Sequence, residues 1–418
     1  GGPVRGEPQV AEFHRASRLH FLGTWRERAE RWQREGAPDS TSLLDPAVLA
    51  ALRQEVAVAA RAPALADAAE APACGPAWAY LDMDCFFAAV AVRDYCPDEG
   101  PDVPIAVTSG LGVGSEICSA NYAARRLGVT TALWSVGRAR EVLPSLKIIP
   151  VSDHLLRAVE VTWHQVHQVL VAACGGSASD VVVRSCDEAA ARLHGPRPLL
   201  WGAAVRRAVL AQTRCTCTVG VGPSQLVSRM AAKAAKPDGL RQVLDTEVRA
   251  FMADIPLLSL PQVGRSLGAR LRERGLEACR DVLAHDRGQL RQWFGVKGEM
   301  LWANARGDDF GSATQPAERK TMSADMNWGV RPRDRQAAVQ ILQDLASQLA
   351  ERLDKAGARA AQLSLKLKVA APGWVEPVKT GGHGACEDVS RSAALGQPTA
   401  EAAVLMRHAA RLLDALAQ

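Results

Sequence analysis

Between Trp78 and Asp84 the run Trp-Ala-Tyr-Leu-Asp-Met-Asp is mostly apolar and closes on acids, which predicts a buried strand. A second short strand is expected from Val103 to Thr108, after the breakers Pro97 and Pro101. Ser119 to Leu127 reads as a helix stopped by Gly128, Lys147 to Val151 as a strand, and His154 to Val171 as a long helix. Val181 to Cys186 reads as a buried strand ending in acids, Val205 to Leu210 as helical, and Cys215 to Val221 as a strand. Strands and helices in this mixed order predict an α+β sheet domain rather than a doubly wound one. After Gly239 the pattern changes: residues 255–310 look all-helical with short glycine turns, and Gly311 to Lys320 is a polar linker. A strand near Thr321 to Trp328, a helix from Arg335 to Leu353, a strand from Gln362 to Val369, a glycine-rich loop and an Ala-rich helix follow. Upstream, Arg26 to Arg34 reads as a charged surface helix and Leu43 to Ala60 has helical spacing. The rest of residues 36–76 reads as linker, and no internal repeat is visible.

Length and composition narrow this picture only slightly. A chain of 418 residues is too long for one core and implies about two to four domains. The net charge of +5 permits nucleic-acid binding without arguing for it. The cysteines, Cys74, Cys85, Cys96, Cys118, Cys174, Cys186, Cys215, Cys217, Cys279 and Cys386, form no Cys-x-x-Cys pair, so the usual zinc spacings are excluded. Several lie in hydrophobic runs, as reduced core thiols do, which points to an intracellular, reducing compartment. No stretch is long and apolar enough to span a bilayer, and the N-terminus lacks a signal-peptide pattern, so no membrane partner is expected. A start at Gly1-Gly2-Pro3, without Met, suggests a piece of something longer.

The candidate chemistry lies in the acids. Asp82 and Asp84 are two apart on a predicted strand and therefore share a side of the sheet. Val181-Val182-Val183 delivers Asp187-Glu188 about a hundred residues later. Buried neighbouring carboxylates need a positive partner, and hard divalent cations take oxygen ligands. Two metals roughly 3.5–4 Å apart bind an attacking hydroxyl, a phosphate and a leaving oxygen together. One Asp-x-Asp alone would read as a strand-end cap; two acidic strand ends after apolar runs point toward metal. Arg125 and Lys236 are candidate cations for a triphosphate. Arg125 shares a face with Tyr122 at a helix start, and Lys236 precedes the turn Pro237-Asp238-Gly239.

Five segments occur in a telling order: Tyr80-Leu81-Asp82-Met83-Asp84-Cys85-Phe86-Phe87, Ala120-Asn121-Tyr122-Ala123-Ala124-Arg125, Ser185-Cys186-Asp187-Glu188-Ala189, Val219-Gly220-Val221-Gly222 and Lys236-Pro237-Asp238-Gly239. Each is weak alone, but the ordered set resembles the Y family of DNA polymerases over most of residues 78–418. The resemblance implies a right-hand, multidomain α+β architecture with a ferredoxin-like palm, small fingers, a helical thumb with a helix-hairpin-helix, and an α/β little finger. The expected boundaries are 1–76 for an N-terminal extension and linker, 77–86 and 153–254 for the palm, 87–152 for the fingers, 255–312 for the thumb and 313–418 for the little finger. It further implies that Asp82, Asp187 and Glu188, with the Met83 carbonyl, hold two Mg²⁺ ions, with Mn²⁺ as the alternative. Phe86 and Phe87 would line the nucleotide pocket, Phe87 as the steric gate beneath the sugar. Tyr122, Arg125 and Lys236 would grip the triphosphate, and Asp84 would be structural.

Leu260-Pro261-Gln262-Val263-Gly264, followed by Leu267 to Gly275, looks like a helix-hairpin-helix, a motif that holds DNA backbone without reading sequence. Gly264 and Arg265 are its candidate contacts. In the last domain Leu363 to Val369 alternates cleanly, and Lys366 and Lys368 suit a phosphate track. A solvated strand face would look the same.

Two segments resemble the deoxycytidyl transferase branch of the family: Ser17-Arg18-Leu19-His20 ahead of the palm, and Gly381-Gly382-His383-Gly384 in the final domain. The resemblance implies that Arg18 acts as template by hydrogen-bonding an incoming dCTP. Leu19 then displaces the template base into the Gly381 to Gly384 loop. An arginine fork suits the acceptors of cytosine and matches thymine poorly. The family's Tyr-Glu-Ala-Arg stands here as Tyr122-Ala123-Ala124-Arg125, and Ala189-Ala190-Ala191-Arg192-Leu193 lacks the usual acid. The resemblance also implies primer–template DNA as partner, nuclear location, and other translesion subunits that bind through regions absent from this chain. A general lesion-bypass polymerase, which would follow the template base, and a silent DNA-bound scaffold, which would bind no metal, are the alternatives.

Overall fold

The computed structural model describes residues 18–23, 25, 44–61, 77–100, 102–130, 135–195, 197–310, 320–326, 332, 334–373 and 386–416. Its strands are β1 (Ala77–Met83), β2 (Ile105–Thr108), β3 (Ile117–Ala120), β4 (Lys147–Pro150), β5 (Val181–Val183), β6 (Glu188–Leu193), β7 (Cys217–Gly222), β8 (Leu240–Gln242), β9 (Ala360–Ala370) and β10 (Cys386–Thr399). Its helices up to the end of the central sheet are α1 (Arg18–Gly23), α2 (Pro46–Arg61), α3 (Phe86–Tyr95), α4 (Tyr122–Arg126), α5 (Val136–Val142), α6 (Asp153–Ala173), α7 (Pro198–Thr213) and α8 (Gln225–Ala235). Then come α9 (Val248–Ala253), α10 (Arg265–Arg272), α11 (Cys279–Leu283), α12 (Arg287–Phe294), α13 (Val296–Ala305), α14 (Arg335–Lys355) and α15 (Ala402–Leu416). None of the described helices is long and apolar enough to cross a membrane.

The central sheet has the order β5-β6-β1-β7-β8, antiparallel except for the parallel β7–β8 pair. Taken with α6 and α7, its first four strands have the β-α-β-β-α-β order of a ferredoxin-like fold. The pleat sorts β1 into two faces. Ala79, Leu81 and Met83 join Val219 and Val221 in the large core with α6 and α7. Tyr80 and Asp82 face the other way, where Tyr80 packs with Ala190 and with Ala232 of α8. That second face carries the carboxylates, and α8 covers it.

Between α3 and α6 sits a three-stranded sheet, β3-β2-β4, with its own small core around Ala106, Ile117 and Val129. After β8 the chain is helical, and α9 to α13 share a core with Leu226, Val227 and Met230 of α8. Hence α8 packs against the sheet on one side and the helical unit on the other. The last unit pairs β9 with β10 and packs α14 and α15 against it.

Several sequence expectations shift. Ser119 and Ala120 end β3 instead of starting a helix, and Asn121 caps α4 by accepting the Ala124 N–H at 3.0 Å. The stretch from Val181 is not one strand into Cys186: β5 stops at Val183, and residues 184–187 turn into β6. β6, unseen in the pattern, is the strand beside β1. No strand occurs among the described residues 320–326, whereas β10, also unseen, is 14 residues long. The helix expected over Arg26 to Arg34 and the loop Gly381 to Gly384 lie outside the described residues.

Candidate active site

Asp82 and Glu188 are directly opposed in the β1–β6 ladder, so their side chains leave the same face. Asp187, one residue before, donates no side chain to that register but ties β1 to the turn, its carbonyl accepting the Met83 N–H at 2.9 Å. Asp187 and Glu188, expected at the end of the strand from Val181, therefore stand where the hairpin turn enters β6. Asp82 is buried, and burial pushes its carboxyl up to about 6 against the opposing pull of Lys236. Burial also raises Asp187, while the Ser185 hydroxyl, which donates to its Oδ1, opposes the shift. Two acids held reluctantly ionised make this the place where the fold asks for positive charge.

Cations of the protein answer that demand in the structure. Lys236 donates to Asp82 Oδ1 and, at 3.3 Å, to the Met83 carbonyl. Arg229 of α8 places Nη2 3.1 and 3.0 Å from the two oxygens of Glu188, and the Tyr80 hydroxyl donates to Oε2 at 2.9 Å. With each carboxylate drawn to its own partner, no three metal-binding side chains among the described residues converge on one point. The donor set itself, three carboxylates and a backbone carbonyl, consists of oxygens only, which is what hard divalent cations take. The residues fit such ions.

Asp84 does not join them. It is almost fully buried and anchors the neighbouring backbone: Oδ1 accepts the Thr218 hydroxyl at 3.0 Å and Oδ2 the Asp238 N–H at 2.8 Å. It thus fixes the turn that presents Lys236. On α4, Arg125 stacks over the Tyr122 ring at 4.9 Å and donates through Nε to the Ala120 carbonyl at 2.8 Å. The Tyr122 hydroxyl lies 3.5 Å from Asp84 Oδ1. Lys236 is therefore on Asp82 itself, while Tyr122, with Arg125 stacked on it, reaches Asp84.

Phe86 and Phe87 open α3 and are both buried. Phe87 meets Phe21 of α1 edge-on, centroids 6.1 Å apart, and Phe86 meets Trp163 of α6 at 6.4 Å. Phe21 also touches Trp25 at 5.6 Å, and Trp25 reaches Trp163. The segment that opens with Arg18 is therefore pinned into the main core beside Phe87. The side chains of Arg18 and Leu19 lie outside the described residues. Phe21→Ala is expected to weaken this docking by about 3 kcal/mol. Limited proteolysis would then cut the N-terminal segment faster, and an unchanged rate would refute the anchor.

The remaining candidates are remote from the acids in sequence. Gly264 caps α10, with Gln262 in the left-handed region at φ 66°, and the first helix of the expected hairpin is only a 3₁₀ turn, Leu257–Ser259. Arg265 is exposed on α10. On β9, Lys366 and Lys368 are exposed, while Leu363, Leu365 and Leu367 turn toward the helices. Lys368 pairs with Asp388 at 2.7 Å. Arg229 and Tyr80 were missed as site residues. Tyr80 carried a signal, being two positions from Asp82 and so on its face; Arg229 carried none.

Among known families, the impB/mucB/samB family matches residues 81–233, its C-terminal domain residues 319–418, and the thumb domain of DNA polymerase-iota residues 258–309. The DNA repair protein REV1 of Arabidopsis thaliana is 30% identical over 413 residues, 96% of this chain and 35% of that protein. DNA polymerase IV of Aeromonas hydrophila is 31% identical over 280 residues, 65% of this chain and 77% of that protein. A Y-family DNA polymerase chimera built on Dbh superposes with a TM-score of 0.63 at 21% identity, covering 81% of this chain and 93% of that one. The chain spans about a third of the length of the curated DNA repair relatives it matches.

Proposed function

Because the chain belongs to the impB/mucB/samB family, the Y family of DNA polymerases, we propose that it is a translesion polymerase of the deoxycytidyl transferase kind. It adds dCMP from dCTP to a primer, opposite template guanine and opposite damaged or abasic sites. The observation that carries the polymerase part of this reading is the carboxylate pair Asp82 and Glu188 opposed across β1 and β6, with Asp187 beside them and Lys236 on Asp82. Domain roles follow the order of units: residues 77–86 and 153–254 as palm, 87–152 as fingers, 255–312 as thumb and 313–418 as little finger.

Asp82, Asp187, Glu188 and the Met83 carbonyl are the groups that would hold two Mg²⁺ ions, or Mn²⁺ in their place. Bound there, such ions supply the charge that activates a primer hydroxyl and offsets charge on the phosphates. The chain's own residues do the positioning. Lys236, whose ammonium lies between Asp82 and Met83, exchanges the carboxylate for the triphosphate. Tyr122 and Arg125 grip the phosphates. Phe87, backed by Phe21 and Phe86, stands under the sugar and leaves no room for a 2′-hydroxyl. Gly264, Arg265, Lys366 and Lys368 bind DNA backbone, the last of these after leaving Asp388.

Arg18 opens α1 three residues before Phe21, and the docking of Phe21 beside Phe87 supports assigning Arg18 to the nucleotide pocket. Its guanidinium serves as template for cytosine, Leu19 fills the space of the displaced base, and the loop Gly381-Gly382-His383-Gly384 receives that base. The protein works in the nucleus, with other translesion subunits as partners. Single-nucleotide primer extension on templates bearing G, A, T, C or an abasic site tests this. dCTP is expected to be preferred opposite each template, and Arg18→Ala is expected to remove that preference. Insertion that follows the template base in the unaltered protein would leave a polymerase but overturn the protein template. No extension with any nucleotide would overturn the enzyme.

A further inference from the structure

Arg229 has no part in gripping phosphate or in the metal set, yet it is the group that occupies Glu188. Both oxygens of that carboxylate face the same nitrogen, Arg229 Nη2, at 3.1 and 3.0 Å, and Oε2 accepts the Tyr80 hydroxyl as well. The Arg229 guanidinium lies over the Tyr80 ring, 5.5 Å from its centre. Arg229, Tyr80 and Glu188 thus form a closed triangle across α8, β1 and β6. Glu188 stands opposite Asp82 in the ladder, yet both of its oxygens are taken by Arg229 and Tyr80, while Asp82 is taken by Lys236.

The clamp is built to hold without locking. A strong arginine–carboxylate pair uses two parallel N–H···O bonds from two nitrogens. Here one nitrogen serves both oxygens, and Arg229 Nε is buried with no hydrogen-bond partner. The pair is nonetheless shielded, with side-chain exposures of 28% for Arg229 and 17% for Glu188. It is therefore worth more than a surface ion pair, and less than a bidentate one in the same place.

We propose that Arg229 and Tyr80 are positioning residues that hold Glu188 in a metal-incompetent orientation, so that a divalent cation binds only by displacing Arg229 from the carboxylate. The inference rests on the assignment of Glu188 as a metal ligand. It makes ion affinity a difference between two partners for one carboxylate, as with any competing ligand. Lys236 competes for Asp82 in the same way, but a triphosphate can take Lys236 away. Arg229 has no such substitute, and its competition remains in the nucleotide-free and nucleotide-bound protein alike.

The test is a titration of the whole chain with Mn²⁺ alone, free ion being read from its electron paramagnetic resonance signal, without DNA or nucleotide. Arg229→Gln is expected to bind Mn²⁺ about tenfold more tightly, and Tyr80→Phe about threefold. Arg229→Lys is expected to fall near the unaltered protein, since it restores the competing charge. The gain must vanish in the Glu188→Gln background. Unchanged or weaker binding by both Arg229→Gln and Tyr80→Phe, with Glu188→Gln still weakening binding, overturns the clamp and keeps Glu188 as a ligand. If Glu188→Gln leaves Mn²⁺ binding unaltered, the ligand assignment itself fails. Tyr80→Phe keeps the buried ring, so its Mn²⁺ affinity remains decisive if Arg229→Gln does not fold.

Discussion

Asp82→Asn is expected to abolish nucleotide incorporation, by at least about a thousandfold, while making the central sheet domain harder to unfold. The activity loss follows from removing the carboxylate that both Lys236 and the proposed ions contact. The stability gain follows from the cost of keeping that carboxylate charged. Its folded pKa of about 6 lies above the ordinary value of 3.8, because burial outweighs Lys236. The folded protein therefore binds this proton over a pH range in which the unfolded chain has released it. Stability from this group falls as pH rises through about 4 to 6, and the whole cost is present at neutral pH. At about 1.4 kcal/mol per unit the cost is about 2–3 kcal/mol, and an amide avoids it. Urea unfolding of the two proteins at pH 5 and pH 7.5, beside primer extension, measures both effects. The stability difference should be larger at the higher pH. An active Asn variant, or one that unfolds more easily at pH 7.5, would contradict the account.

The same burial explains why the sheet was only partly legible. β1 and β7 announce themselves because both faces of each are covered, giving nearly unbroken apolar runs in which Asp82 and Asp84 stand out. β6 does not. Glu-Ala-Ala-Ala-Arg-Leu carries good helix formers, and it is extended only because β1 and β5 pair with its two edges. β10 is still less visible, since Ser, Ala and Arg on a half-solvated strand show no period of two. Among the site residues, those within one strand or one turn could be read as a set: Asp82 with Met83, Asp187 with Glu188, Tyr122 with Arg125. Arg229 meets Glu188 across 41 residues, by the folding of α8 over the sheet, and nothing local records that meeting. Phe21 was likewise hidden, because its partner Phe87 lies on a different element.

Gly220→Ala is expected to cost about 3 kcal/mol or more and to leave little folded protein. Val219-Gly220-Val221-Gly222 places its glycines two apart on β7, so both face α8. A methyl on Gly220 would sit 2.1 Å from the Ser228 carbonyl oxygen and 2.2 Å from the Ala232 nitrogen. Both are helix backbone atoms, so no rotamer change relieves the clash; α8 itself would have to lift. Lifting it breaks the Ser228 hydroxyl's bond to the Trp78 carbonyl, 2.8 Å long, and opens the contact of Ala232 with Tyr80. It also carries off Arg229, and at its C-terminal end Lys236, the two cations that hold Glu188 and Asp82. Gly264→Ala is the control: a methyl there meets nothing within 4 Å, at a φ of −91° that any residue adopts, and its melting should be unchanged. Thermal unfolding of both variants by circular dichroism decides the matter. A Gly220→Ala protein that melts like the unaltered chain would mean that α8 can stand off β7. The glycine pair would then have no part in setting the distance between the helix that carries the cations and the strands that carry the acids.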